Sequence, residues 1–538
     1  RLQAEAAQIS RDGARLVDPN VVGETFQQLQ RIRPFYRFPD TLDVDRYQLN
    51  GQTETAIVAL RELSGAPAGQ QSWIRDRMVY THGYGFVSSF ADRFNGNVPE
   101  WLSRDMPQAP DSKIKVTRPQ IYFGERSPSY SVVGGQGQQE LDYPDNSPTG
   151  QKNTTYQGSG GVPIDGFFNK LLFATKFQDR NLLLSGAIND GAKILYDREP
   201  RERVQRAAPW LTLDGDPYPS VINGRITWIL DGYTTSNAYP YSERTSLGDA
   251  TRDTITDTRS AVARQTNDRV NYIRNSVKAT VDAYDGTVKL YQWDENDPIA
   301  KTWMKVFKGT VEPRSAIPPE LMAHFRYPQD LFKVQRHILA RYHVTDAAAF
   351  YNGEGFWEVP EDPGAKGRIQ PPYYQSLRMP GTNAEDFNLT TVFNPRNNPN
   401  LAAFMAVGST PGRNYGQIQI LQLPRNSTAQ GPGQVQNSFE TDPQVKNELF
   451  ALRQGGTRTV NGNLLTIPFA GSMLYVEPMY ALAAAGTEQQ PYPLLGKVLV
   501  RYENRISSGN NLPEALTNLF GGTAGEPPTQ EQPPQEGQ

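Results

Sequence analysis

Apolar and polar positions along the chain follow two periods, and each predicts its own kind of element. Helical spacing marks 1–33, where Phe26, Leu29 and Ile32 recur before Pro34 ends the pattern. It returns at 68–80, 163–180, 199–208, 267–276, 298–308, 328–342 and 444–453. In 163–180 the apolar positions include Phe167, Leu171 and Phe177. Two-residue alternation predicts strands at 42–49, 114–116, 121–123 and 130–133, then at 277–284 and 287–293. Beyond 347 it predicts 373–378, 387–393, 417–423, 464–468, 473–478 and 497–502. Asn223-Gly224 inside 221–228 and Asp285-Gly286 after 277–284 are hairpin-turn pairs. The Gly/Gln/Ser-rich stretch 134–161 reads as a loop, and the tail after Gly521 as disordered.

The fold class that follows is α+β, with mixed or antiparallel sheets and a β-rich C-terminal half. The segments are 1–66, a membrane-proximal N-terminal part; 67–241, an α/β region; and 242–258, a linker or mobile loop. After these come 259–346, an α+β module; 347–506, a β-rich region; and 507–538, a mostly disordered Pro/Gln-rich tail.

Composition narrows the function classes. Hydrophobic residues at 37% and charged residues at 21% belong to a folded chain. The net charge of -3 comes with no basic stripe, which argues against a nucleic-acid partner. The chain has no cysteine, so disulfides, thiolate nucleophiles and cysteine-bound zinc are excluded. No run approaches the roughly 18–20 apolar residues that span a bilayer. A start at Arg1 rather than Met leads to the expectation of a fragment or a processed product.

Candidate chemistry is sparse. His82, His324, His337 and His343 never fall at the spacing that sets two ligands on one helical face. His82, Gly83 and Tyr84 form a ligand-binding candidate, because the glycines Gly83 and Gly85 admit close approach and an imidazole works as acid or base. The same residues equally make a structural turn. The serine elbow, the phosphate-cradling loop and the dinucleotide fingerprint are absent, since Gly158-Ser159-Gly160-Gly161 and Gly496-Lys497 lack the required spacing. No catalytic residue is assigned and no cofactor is called. Among the acidic loops, Asp282 and Asp285 are the calcium candidates, although Asp285-Gly286 also makes a hairpin turn with no ion.

Longer words in the chain resemble those of the uncharacterised protein family numbered 0182. They include Gln30-Arg31-Ile32-Arg33-Pro34-Phe35-Tyr36, Val79-Tyr80-Thr81-His82-Gly83-Tyr84-Gly85 and Phe325-Arg326-Tyr327-Pro328-Gln329-Asp330. The resemblance covers 1–506 and points to an actinobacterial member. It implies a multi-pass bacterial membrane protein whose N-terminal membrane-spanning helices this chain lacks. This region would then lie on the extracytoplasmic side of the cell membrane. The implied partners are the membrane, further copies of the chain, other envelope membrane proteins and lipid. The family carries no catalytic residues to transfer. A helix at 267–276 followed by Val281-Asp282-Ala283-Tyr284-Asp285-Gly286 is also similar to the PepSY-type module. The leading expectation is a non-enzymatic binding or assembly role in the envelope. The alternatives are an accessory or conduit for a lipid or envelope precursor, and an envelope hydrolase with His82 or acids not identified in the sequence at its site.

Overall fold

In the computed structural model, the strands Arg225–Ser236 and Tyr272–Asp282 pair antiparallel from Thr227 opposite Asp282 to Ser236 opposite Tyr272. Residues 1–256, 262–482, 491–522 and 524–525 are described. Val277, Ala279 and Val281 are fully buried on one face of this pairing, and Ser276 and Lys278 on the other. Stretch 267–276, expected as a helix, is therefore strand. Arg269–Val270 already pairs with Thr245–Ser246, and the ladder continues from Tyr272. Differences in helix propensity amount to tenths of a kcal/mol per residue, so a long-range ladder buried on both faces overrides them. The PepSY-type resemblance keeps its hairpin, with Val281 opposite Val288 across the Asp285-Gly286 turn, but loses its helix.

The chain is an α+β protein of several small, mostly antiparallel sheets. Contacts divide it into two compact units: Arg1–Thr25, Phe90–Glu100 and Ile338–Gln538 form one, and Phe26–Ser89 with Trp101–His337 the other. Each gathers stretches far apart in sequence.

The unit 26–89 with 101–337 is built on the sheet just described, which Val288–Gln292 and Val311–Glu312 extend, the latter pair parallel. The turn at Asn223 and Gly224 has φ of 50° and 77°, so the expected hairpin is there with two left-handed turn residues. Several other local readings need correction. The "loop" 134–161 contains the hairpin Glu140–Pro144 with Gln151–Thr154, held by the buried Leu141. Residues 114–116 make no strand, because side chains take their backbone groups: Gln108 Nε2 donates to the Ile114 carbonyl at 2.8 Å, and the Val116 N–H donates to Gln108 Oε1 at 3.1 Å. The helix expected at 68–80 shrinks to the π-helical turn Arg75–Val79, since Pro67 and Gly69 turn the chain just before it. The stretch 242–258 carries, over its described part, a helical turn Leu247–Ala250 packed on Val334. It also holds a buried Asp253 paired with Arg336 at 2.8 Å. The amphipathic helix is Phe167–Phe177, and it packs the half-buried Phe173, Ala174 and Phe177 against Tyr130, Val132 and Ile194. Phe167 and Leu171, expected on its apolar face, point to solvent together with Phe168 and Leu172.

In the unit 1–25, 90–100 and 338–538, alternation along one sheet separates two cores. Its strands run Arg458–Asn461, Ser472–Leu482, Pro493–Tyr502 and Arg505–Gly509, with Leu465–Phe469 also paired to Ser472–Leu482. Leu474, Val476, Val498 and Val500 face the helices Leu2–Asp12 and Leu512–Phe520. Met473, Tyr475 and Leu499 face the other way, onto Val435, Phe439, Val445 and Leu449. The last two belong to helix Pro443–Leu452, which Asp442 caps by accepting from the Gln444 and Val445 N–H groups, with Pro443 in its first turn. The tail beyond Gly525 lies outside the described residues.

Candidate functional site

His82, Gly83 and Tyr84 are all buried, and protein fills the space around them. A Cβ on Gly83 would stand 2.6 Å from the Arg61 carbonyl, and one on Gly85 2.6 Å from Arg61 Nη1. The two glycines thus admit the neighbouring strand and its arginine rather than a ligand. Arg61 donates to the Gln30 carbonyl at 2.6 Å and to the Tyr84 carbonyl at 3.0 Å, and burial lowers its pKa to about 10.

His82 belongs to a closed polar network. Thr81 Oγ1 lies 2.9 Å from its Nδ1, and Asp142 Oδ1 lies 3.4 Å from its Nε2. The Glu140 carboxylate accepts from Thr81 Oγ1 at 2.8 Å, the Tyr122 hydroxyl at 2.9 Å and the Tyr156 N–H at 2.7 Å. Arg198 completes the network, donating to the Tyr122 carbonyl at 2.6 Å and to Ser131 Oγ at 2.7 Å, and also to the Thr81 carbonyl. Almost every donor meets an acceptor, which is the state that rigidifies a core.

A second histidine lies beside a serine and an aspartate. His324 Nδ1 is 2.9 Å from Asp45 Oδ2, and Ser220 Oγ donates to the same oxygen at 2.6 Å. The carboxylate sits between the other two groups, so the serine hydroxyl faces an acid anion and not an imidazole base. Nucleophilic activation needs the opposite order.

Asp282 and Asp285 come together around Arg225, whose Nε and Nη2 reach them at 2.7 Å and 3.2 Å. Asp282 Oδ1 accepts the N–H groups of Tyr284 and Asp285, while Asp285 Oδ1 accepts from the N–H and hydroxyl of Thr287. Among the described residues, no group of three or more His, Asp or Glu side chains is placed to hold a metal ion.

Among the described residues, a feature with room for a ligand lies in the other unit. A cavity of about 1020 Å³ opens beside the hairpin of Leu465–Phe469 and Ser472–Leu482. The hairpin turns at Ala470 and Gly471, with φ of 51° and 83°. Ile9, Met379, Leu421, Leu423, Phe469 and Met473 give the cavity an apolar wall. The volume lies at the upper end of the roughly 300–1,000 Å³ of small-molecule sites.

Three arginines line this cavity, and two are neutralised: Arg1 by Glu5 at 2.8 Å and Arg378 by Asp12 at 2.7 Å. The third, Arg501, is 6% exposed and stands on Pro493–Tyr502 opposite Tyr475. Among the described residues no carboxylate or hydrogen-bond acceptor meets its guanidinium. Burial lowers its pKa, and Tyr475 offsets only part of that effect. The Tyr475 hydroxyl is itself committed, donating to the Gln430 carbonyl at 2.6 Å. Glu503 also lines the cavity, but its side chain is exposed at the rim. Arg501 belongs to no motif of recognised chemistry or spacing. The available signal was the two-residue period, which puts Arg501 on the inward face with Leu499.

The profile of the uncharacterised protein family UPF0182 matches residues 2–452, and the chain belongs to that family. It is 49% identical to a UPF0182 protein of Frankia alni over 98% of this chain and 52% of that protein. To a UPF0182 protein of Kineococcus radiotolerans it is 48% identical, over 97% of this chain and 54% of the relative. A UPF0182 protein of Streptomyces coelicolor is also 48% identical, over 97% and 52%. These relatives are actinobacterial. The chain spans about half the length of the curated relatives it matches. No solved structure matches it. Among the described residues, no helix is long and apolar enough to cross a membrane.

Proposed function

We propose that this chain is a non-enzymatic binding region of a bacterial membrane protein, on the extracytoplasmic side of the cell membrane, working in the envelope. The observation that carries the reading is the cavity around Arg501: a large apolar-walled space in which, among the described residues, no carboxylate meets Arg501 and no histidine stands in the lining. A membrane setting is supported by the solvent-facing Phe167, Phe168, Leu172 and Leu184, which lie close to Lys170 and Lys176 in sequence. Exposed apolar patches with basic flanks suit a lipid surface or a membrane-embedded partner. The apolar lining also favours the narrower reading of a lipid-handling accessory over one of assembly alone.

The test is a titration of the 538-residue chain with the uncharged solvatochromic dye Nile red. Saturable binding is expected, weakened roughly tenfold or more, about 1.4 kcal/mol, by Met473→Trp, which pushes a bulky ring into the cavity from its apolar wall. No saturable binding, or binding indifferent to Met473→Trp, overturns the proposal.

A further inference from the structure

We infer that the cavity takes a singly charged anionic amphiphile, with its head on Arg501 and its chain along Phe469, Met473 and Leu421. The inference rests on the binding reading above and adds the chemical class of the ligand.

The charge inventory sets the head. A buried guanidinium without a partner is costly, and proteins normally pair such a group. Arg501 sits on an inward strand position that Leu499 also uses, where an apolar side chain would fit without cost. It is 6% exposed, unpaired among the described residues, and lines open space. Its planar fork matches the two oxygens of a carboxylate or a phosphodiester. Glu5 and Asp12 already neutralise Arg1 and Arg378, and the rim carboxylate of Glu503 is exposed to solvent and does not meet Arg501, so among the described residues Arg501 is left for one negative charge. A dianionic phosphate monoester would leave a buried charge uncompensated.

The walls set the remainder of the molecule. Beyond the guanidinium the cavity offers methionine, leucine, isoleucine and phenylalanine surface. Such a surface gains roughly 0.8 kcal/mol for each methylene it buries. A small inorganic anion would leave that surface wet, and a neutral alkane would leave Arg501 bare.

Competition against bound Nile red tests this, using palmitate, the uncharged monopalmitoylglycerol, dihexanoyl phosphatidylglycerol and inorganic phosphate. Palmitate is expected to displace the dye about 10–100-fold more tightly than monopalmitoylglycerol, the range of one hydrogen-bonded charge. Inorganic phosphate is expected to displace none. In Arg501→Met the preference for the anion should collapse to within about threefold, and Arg501→Lys should keep part of it. If the short-chain phosphatidylglycerol shows a stronger charge preference than palmitate, the head is a phosphodiester lipid; the reverse makes it a free carboxylate.

Equal displacement by palmitate and monopalmitoylglycerol overturns the inference while leaving the binding reading intact. So does an undiminished preference in Arg501→Met. Failure of Nile red to bind at all removes both.

Discussion

Arg198 and Arg501 are both buried arginines, at 2% and 6% exposure, yet their surroundings differ in kind. Arg198 spends its donors on two backbone carbonyls and a serine, within reach of the Glu140 charge. Arg501 faces open space with a neutral tyrosine beside it. The first arrangement is what a core demands of a charge it cannot expel, and the second is what a binding site leaves ready. Burial alone therefore separates structural charges from functional ones poorly; the state of the donors separates them better. His82 illustrates the point. It is the histidine in the most site-like sequence word, and the fold consumes it in holding Thr81, Glu140 and Asp142 together.

The largest expected effect tests the structural side of this contrast. Arg198→Met strips the acceptors Tyr122, Thr81 and Ser131 of their donor and leaves Glu140 without its neighbouring cation. A loss of about 3–5 kcal/mol is expected, the cost of breaking a buried charge network from one side. Urea denaturation followed by tryptophan fluorescence measures it. A loss below about 1 kcal/mol would show that the network is not structural, and His82 would return as a site candidate.

Next in size is a buried acid near the cavity strand. Glu477 is fully buried, and burial pushes its carboxyl up to about 8. The Gln436 amide, placed to donate to it, offsets part of that push, while Glu440 and Asp362 add to it. The folded chain thus keeps a proton that the unfolded chain gives up near the usual 4.3. Below that value both states hold the proton and the contribution of Glu477 is fully present. As pH rises from there to about 8 it is progressively lost, at up to about 1.4 kcal/mol per pH unit. Glu477→Gln is expected to remove this fall and to be the more stable protein at pH 8. Denaturation midpoints of both proteins between pH 5 and about 8 decide the matter; parallel curves would mean that Glu477 is ionised in the folded state and that its sheet buries a charge after all.

What the residues made legible was local. Asn223-Gly224 announced its hairpin because both turn positions need positive φ. The helix expected from apolar spacing at 444–453 is there as Pro443–Leu452, because its period is local; its cap, Asp442, is a sequence neighbour. The strand Tyr272–Asp282 was misread over its first half, since its partner Arg225–Ser236 lies across a long stretch of chain that no short window samples. The hairpin from Glu140 was hidden for a similar reason: its burial depends on Tyr122, Thr81 and Tyr156 arriving from elsewhere. Arg501 was half legible. Period two places it inward, but its lack of a partner is a fact of three dimensions.

The smallest expected effect concerns Arg225, Asp282 and Asp285, the mirror image of Arg501: two carboxylates with a cation in place. Arg225 is about one-third exposed, so its ion pairs contribute little, and Arg225→Ala should cost about 1 kcal/mol or less. The informative readout is calcium. In the native chain all four carboxylate oxygens have donors, whereas calcium asks for six to eight free oxygen ligands. Millimolar calcium should leave the native melting temperature unchanged. In Arg225→Ala two oxygens lose their cation and the acidic hairpin stands open, so calcium should raise the melting temperature and recover part of the lost stability. A shift in the native chain itself would mean that the ion displaces Arg225. A full set of donors would then no longer distinguish these aspartates, held by the fold, from Arg501, left open to a ligand.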